Sequence, residues 1–361
     1  MKLSGFDLFR YSIPLAQTVV LKNSTIHRRE GLLLKLSGSD GSEGWGESAP
    51  LPGFSRESLD ESAAQLRQLA ESMTGREFTE DRMDGDGALG LEVEHVGPAP
   101  SVRFGFELAL WNLYGSSTGM GLAGLLAPSP RAKVPVSGLL SGAEDEVLGK
   151  ASRMRNAGYR TVKLKVGART VVEDTRLARV LDEVLGDEVS LRLDANRAWG
   201  YEEATEFVRG TARFEYVEEP LADPARMPDL VRHFGVPVAL DESLVGMEPD
   251  GLGDHRYARA VVLKPTLLGG ISRTLLMAER ALRLGMTPVV SSAYESGVGT
   301  AALVALAAVI GEGSVAAGLD TYRMLANDVL ETPLGLPAPS VEVEHTMDAS
   351  RKVGVRELKI L

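Results

Sequence analysis

Six charged residues close to the ends of short apolar runs define the chemistry open to this chain: Lys163 and Lys165 in TVKLKVG, Asp194 in SLRLDAN, Glu218 in FEYVEEP, Asp241 in VPVALDE and Lys264 in ARAVVLKP. TVKLKVG alternates as a strand does, so its two lysines share one face while Val162, Leu164 and Val166 share the other. An edge strand would simply turn those lysines to water. SLRLDAN repeats the pattern, with Leu191 and Leu193 opposite Arg192, Asp194 and Asn196. Asp194, Glu218 and Asp241 are spaced 24 and 23 residues apart, about one strand-plus-helix unit each, which places them at one height on adjacent strands. Oxygen ligands with no His or Cys among them suit a hard dication. Mg²⁺ is the expected ion, with Mn²⁺ able to substitute. Without a cation, clustered carboxylates would raise one another's pKa.

Lys165 precedes Asp194 by one strand and Lys264 follows Asp241 by one, so the lysines flank the acids from opposite sides. A lysine acts as a general base only when neutral, which requires its pKa to fall from about 10.4 toward about 7–8. A nearby dication and the second ammonium of Lys163 both push that way. The parts describe one reaction class. A dication holds a substrate carboxylate and stabilises the enediolate formed when the adjacent carbon loses its proton. One lysine removes the proton; the other returns one or holds the intermediate by charge. The competing structural reading is an ion-pair network, which would not need one acid on each of three successive strands.

The elements that must position these residues form a regular series. From Val134 short strands alternate with amphipathic helices: 134–140, 161–167, 190–196, 214–220, 236–242, 258–265, 287–295 and a brief GLD at 318–320. Helices lie between them, one ending at Gly285. The rhythm predicts parallel βαβ units in a barrel or a doubly wound sheet, and no GxGxxG follows the first strand to support a dinucleotide. The first hundred residues differ. GLLLKLSG (31–38) and GSEGWGES (41–48) read as antiparallel strands and turns, a helix with a Ser N-cap follows Ser55, and DRMDGDGALG (81–90) reads as a polar loop. FGFELALWNLYG (104–115) reads as a helix bridging two domains, and the tail from about Leu325 as a segment rejoining the N-terminal one.

The chain has 361 residues, 44% hydrophobic, with a net charge of -11 and no basic run, which argues against a nucleic-acid partner. The lack of cysteine excludes disulfide scaffolds and thiol chemistry. MKLSGFDLFRYSIPL lacks a signal-peptide pattern, and AALVALAAVIG from Ala301 is too short to span a membrane and reads as a buried helix. The expectation is a cytoplasmic enzyme with no membrane association.

KLKVG, RLDANRAW, VEEP, LDES and LKPTLLGG together resemble the enolase superfamily in its muconate-lactonizing branch. The resemblance covers essentially the whole chain. It implies an α/β fold, a modified TIM barrel of the (β/α)7β type with an α+β capping domain. Residues 1–100 would form the cap, 101–325 the barrel, and 326–361 a tail returning to the cap. It implies metal ligands at Asp194, Glu218 and Asp241 and catalytic lysines at Lys165 and Lys264. GWGESAPLPGFSRESL, SSAYESGVG, GLDT and PAPSVEVE further resemble the o-succinylbenzoate synthase family. That implies dehydration of a small carboxylate, 2-succinyl-6-hydroxy-2,4-cyclohexadiene-1-carboxylate, with Lys264 protonated over the enediolate. The alternative is an N-acylamino acid racemase or dipeptide epimerase using the same lysines; Asp320-Thr321-Tyr322 departs from the Asp-x-Asp of dipeptide epimerases.

Substrate contacts are expected from Lys163, from backbone N–H groups at Ser291, Ser292, Ser296 and Gly297, where a strand gives way to a helix, and from Phe54 in a closing loop at 52–55. Asn196 is expected behind the metal ligands and Arg192 deeper, in a structural role. The five histidines (27, 95, 233, 255, 345) fall in no strand-end motif, against a histidine base.

Overall fold

A computed structural model describes residues 2–21, 24–78, 97–211, 213–311, 313, 315–355 and 358–361. The expected loop at 81–90 and His95 lie outside the described residues. The chain opens with two long strands, β1 (Leu3–Leu21) and β2 (Ser24–Gly38), followed by β3 (Glu43–Ser48). They pair antiparallel in the order β1-β2-β3. Alternate side chains of β2 serve two cores. Leu32, Leu34 and Leu36 pack under α1 (Leu59–Met73), and Leu33 joins the larger cluster. Ser58 caps α1 in a capping box with Glu61, three residues beyond the Ser at which the helical pattern begins.

Helix α2 (Pro100–Thr118) crosses β3 at almost no distance. A Cβ on Gly46 would lie 1.9 Å from the carbonyl oxygen of Gly105, and one on Gly44 would lie 2.2 Å from that of Ala109. Only glycine permits this approach. Gly46→Ala is therefore expected to cost about 1–3 kcal/mol of stability by forcing helix and strand apart. A denaturant midpoint equal to the wild type's would refute this. Toward the other side of α2, buried Glu107 accepts from the Ser272 N–H at 3.1 Å, so the helix contacts both β3 and the segment at Ser272.

Beyond α3 (Leu122–Leu126), the run 134–140 divides in two. β4 (Lys133–Pro135) pairs antiparallel with a C-terminal strand, Ser340–Glu342, while β5 (Gly138–Leu140) starts the parallel sheet. The sheet continues through β6 (Thr161–Lys165), β7 (Ser190–Asp194), β8 (Tyr216–Glu218), β9 (Val238–Leu240), β10 (Ala260–Leu263) and β11 (Thr287–Val290), each beside its predecessor. Single parallel bridges, Val136 to Ala317 and Ser291 to Gly318, join the two edges through an eighth segment only two residues long. The sheet is curled into a barrel, and the doubly wound alternative is excluded.

Val162, Leu164 and Val166 are buried toward the surrounding helices, so the lysines of β6 point inward. Tyr216, Ala239, Ala260, Val262 and Val289 fill the interior below them. Arg192 lies at that deeper level, its guanidinium on Glu215 at 2.9 Å and on the Ala316 carbonyl at 2.7 Å. Gly297–Val309 is the expected buried helix, and no described helix is long and apolar enough to cross a membrane. Of the tail, Ser340–Glu342 pairs with β4, VEHTMDAS (Val343–Ser350) is helical, and Lys359–Ile360 pairs with β1.

Candidate active site

Register alone brings the carboxylates level. Lys165 pairs with Asp194 across β6 and β7, Asp194 pairs with Glu218 across β7 and β8, and Asp241 directly follows β9. The three acids are 1%, 2% and 4% exposed. Buried charges must be compensated, and here lysines do it. Lys163 bridges Glu218 at 3.0 Å and Asp194 at 3.2 Å, Lys165 reaches Asp194 at 2.6 Å, and Lys264 reaches Asp241 at 2.5 Å. Asn196 holds Lys165 at 2.7 Å and donates to Glu242 at 3.0 Å.

With Glu242, four carboxylates meet three ammoniums, and burial first and neighbouring charge second set how readily each acid holds a proton. Burial alone would raise Asp194, but Lys165 and Lys163 hold it well below the usual carboxylate range. Glu218, whose burial outweighs the pull of Lys163, is pushed up to about 7, with Asp194 and Asp241 adding to the rise. Burial and then Asp241 raise Glu242 as well. Burial opposes the charge on Lys264, yet Asp241 prevails and keeps it an ammonium. Lys163 is raised likewise, Glu218 and Asp194 overcoming its burial.

Among the described residues no three acidic or histidine side chains stand close enough together to hold an ion as they are placed. The donor set itself fits one. Three buried carboxylates on neighbouring strands offer oxygen only, the choice of a hard dication.

The ends of the strands carry the strained backbone. The non-glycine residues with positive φ among those described are Asn196 (44°), Arg197 (61°), Glu219 (39°) and Tyr294 (65°), following β7, β8 and β11. Such conformations persist where the surroundings over-determine them, and they cluster at functional sites. Two of them, Arg197 and Glu219, the second acid of VEEP, hold each other. Fully buried, Glu219 accepts from Arg197 at 2.9 Å, the Asp241 N–H at 3.0 Å and the Ser243 N–H at 2.7 Å, lacing three strand ends together. Only its adjacency to Glu218 in the sequence hinted at that brace.

The expected backbone cradle for a substrate carboxylate does not form. The N–H groups of Ser291 and Ser292 belong to the barrel ladder, donating to Leu263 and Gly318. Those of Ser296 and Gly297 donate to the carboxylates of Glu47 and Asp328, both at 2.8 Å. Helix capping by distant acids has consumed the donors. Ser291, Ser292 and Tyr294 still line the pocket with Lys163, Lys165 and Lys264. Phe54 lies with its ring centroid 5.9 Å from the Lys264 ammonium, in a turn closed by the Phe54 and Ser55 N–H groups on the Leu51 carbonyl. Of the described histidines, His27, His233 and His255 contact Thr18, Tyr201 and Tyr257, and His345 is exposed on the C-terminal helix.

Comparison with known proteins bears on this geometry. Residues 146–346 match the family described as enolase C-terminal domain-like, and residues 3–113 match the MenC N-terminal domain. The chain is 32% identical over 350 residues to o-succinylbenzoate synthase of Haemophilus influenzae, covering 95% of this chain and 98% of that protein. It is 34% identical over 324 residues to the enzyme of that name from Yersinia enterocolitica, covering 88% and 90%. Among solved structures, muconate lactonizing enzyme from Pseudomonas fluorescens with muconolactone superposes with a TM-score of 0.83 at 24% identity, covering 100% of this chain and 97% of that one. Dipeptide epimerase from Enterococcus faecalis, complexed with Mg and a dipeptide, gives 0.84 at 20% identity, covering 99% and 100%. At such identities the superpositions show a shared fold.

Proposed function

Because this chain belongs to the enolase superfamily and, within it, to the o-succinylbenzoate synthase family, we propose that it converts 2-succinyl-6-hydroxy-2,4-cyclohexadiene-1-carboxylate to o-succinylbenzoate, a hydro-lyase reaction of menaquinone biosynthesis. The observation that carries the reading is the pairing of Lys165 and Lys264 on opposite sides of three level, buried carboxylates. Asp194, Glu218 and Asp241 would hold Mg²⁺, with Mn²⁺ able to replace it. Bound there, the ion supplies a Lewis acid for the substrate carboxylate. In this division residues 1–100 and 326–361 cap a barrel of residues 101–325.

The side chains then have distinct tasks. Lys165, as the neutral amine, takes the proton from the carbon bearing the carboxylate, and the C–H electron pair moves into that carboxylate. When the pair returns, the neighbouring C–O bond breaks and the ring becomes aromatic. The proton held on Lys165 joins the departing hydroxide, so water leaves and the base is regenerated. Lys264, kept an ammonium by Asp241, stabilises the negative charge from the other side. Asn196 holds Lys165 against Asp194, Lys163 ties Asp194 to Glu218, and Phe54 covers Lys264. Ser291 and Ser292 contribute side-chain surface to the pocket, and Ser296 and Gly297 act behind it as a helix cap.

Two lysines on opposite faces equally suit racemisation of an N-acylamino acid, and that is the second reading. The first assay is Mg²⁺-dependent turnover of the cyclohexadiene carboxylate, followed by ultraviolet absorbance as the ring becomes aromatic. Rapid conversion that EDTA abolishes and added Mg²⁺ restores is the expected result. A folded, Mg²⁺-loaded protein that leaves this substrate unchanged, yet exchanges the α-proton of N-acylamino acids in D₂O, would replace the first reading with the second.

A further inference from the structure

Arg29 is among the largest fully buried side chains, 1% exposed, and it comes from β2, outside the barrel. Its charge is met by backbone carbonyls. Nε donates to Tyr294 at 2.9 Å, Nη1 to Pro50 at 2.8 Å and Glu30 at 3.1 Å, and Nη2 to Ala49 and to Ala293 at 3.4 Å. All five N–H donors of the guanidinium fork are thus engaged. The acceptors belong to two segments that both end over the pocket. Ala49 and Pro50 lead into the turn bearing Phe54, whose ring covers Lys264. Ala293 and Tyr294 follow β11, and Tyr294 lines the pocket in the left-handed conformation with φ 65°. Phe54 and Tyr294 join one small apolar cluster with Leu51, Leu267 and Ala293.

We infer that Arg29 is a positioning residue: through the carbonyls of Ala49, Pro50, Ala293 and Tyr294 it clasps the two aromatic-bearing loops together and so sets the roof of the pocket above Lys264. The inference rests on the reading of this pocket as the site of proton abstraction. A left-handed tyrosine needs external restraint. Here its carbonyl is held by Arg29 and its N–H by the Ser292 hydroxyl at 2.9 Å. Glu47, one strand over, accepts from the Ser296 and Gly299 N–H groups at 2.8 and 2.7 Å. The segment 293–299 is therefore gripped at both ends by side chains of the N-terminal sheet. A lysine cannot replace the fork, since one ammonium has three donors and no planar spread.

Arg29→Lys is expected to lower kcat/KM about 10–100-fold, mostly through KM, because a roof displaced by about 1 Å misplaces the substrate. Tyr294→Gly removes both the strained side chain and the need to restrain it, so adding Arg29→Lys to that variant should lower kcat/KM by far less than it does in the wild type. Equal losses in both backgrounds would mean that Arg29 serves only general stability, and would overturn the inference. Hydrogen exchange supplies a test that needs no substrate and no variant. In the wild-type protein the amides of 49–55 and 293–297 should open together, their rates rising in parallel with denaturant, and independent opening would equally overturn it. If the wild type failed to dehydrate the cyclohexadiene carboxylate while these segments still opened together, the functional reading would fall and the clasp would stand.

Discussion

Replacing Lys165 with alanine is expected to cut turnover by about 10²–10⁴-fold while leaving fold and Mg²⁺ affinity close to wild type. The separation is possible because Lys165 is the least buried of the site lysines, its side chain 37% exposed, and an ion pair so placed adds little stability. Asp194 does not become an orphan, since Lys163 remains 3.2 Å away. Lys165→Arg sharpens the test. Arginine keeps the positive charge beside Asp194 but does not give up its proton, so it should be as inactive as alanine. Absorbance kinetics, thermal unfolding and Mg²⁺ titration of the three proteins decide the matter. Residual activity above about a hundredth in either variant would remove Lys165 from the role of base.

The second large effect is expected at Asp241. Asparagine there takes away one carboxylate of the three and leaves the buried ammonium of Lys264 without the partner it now meets at 2.5 Å. Loss of a group that merely orients a ligand typically costs about 10–100-fold in metal affinity, so loss of a ligand should cost at least about 100-fold. Activity should fall with it and recover in part at high Mg²⁺. An unchanged Mg²⁺ dependence in a folded Asp241→Asn protein would count against Asp241 as a ligand.

How much of this was legible beforehand follows from which interactions are local. The inward lysines and the level acids could be read because a strand's two faces alternate and one β/α unit has a characteristic length, and both are visible within about 25 residues. The division of 134–140 was not legible. Val134 pairs with Val341, and nothing near either residue announces the other. The N–H groups at Ser296 and Gly297 appeared free for the same reason. Their acceptors, Glu47 and Asp328, lie 249 and 31 residues away. Nothing in the sequence around Arg29 or Glu47 marks them as buried; their burial is a product of assembly. Glu219 directly follows Glu218 in the sequence, but it lies past the end of β8 in a left-handed conformation and has different partners. The parts of the site that await a distant strand or helix are the parts that pattern alone does not reveal.

The contact of Gly44 and Gly46 with α2 has a mechanical meaning. β3 rests on that helix as a beam rests on a fulcrum, and past Ser48 the beam runs on through Ala49 and Pro50 to the turn that carries Phe54. Packing between backbones has no side chain to bend, so a methyl group wedged at Gly46 has to be absorbed by tilt. The far arm of the beam would register that tilt as a lifted roof. Substrate affinity could then be tuned by substitutions that never touch the substrate, through leverage exerted from a glycine crossing on the other side of the sheet.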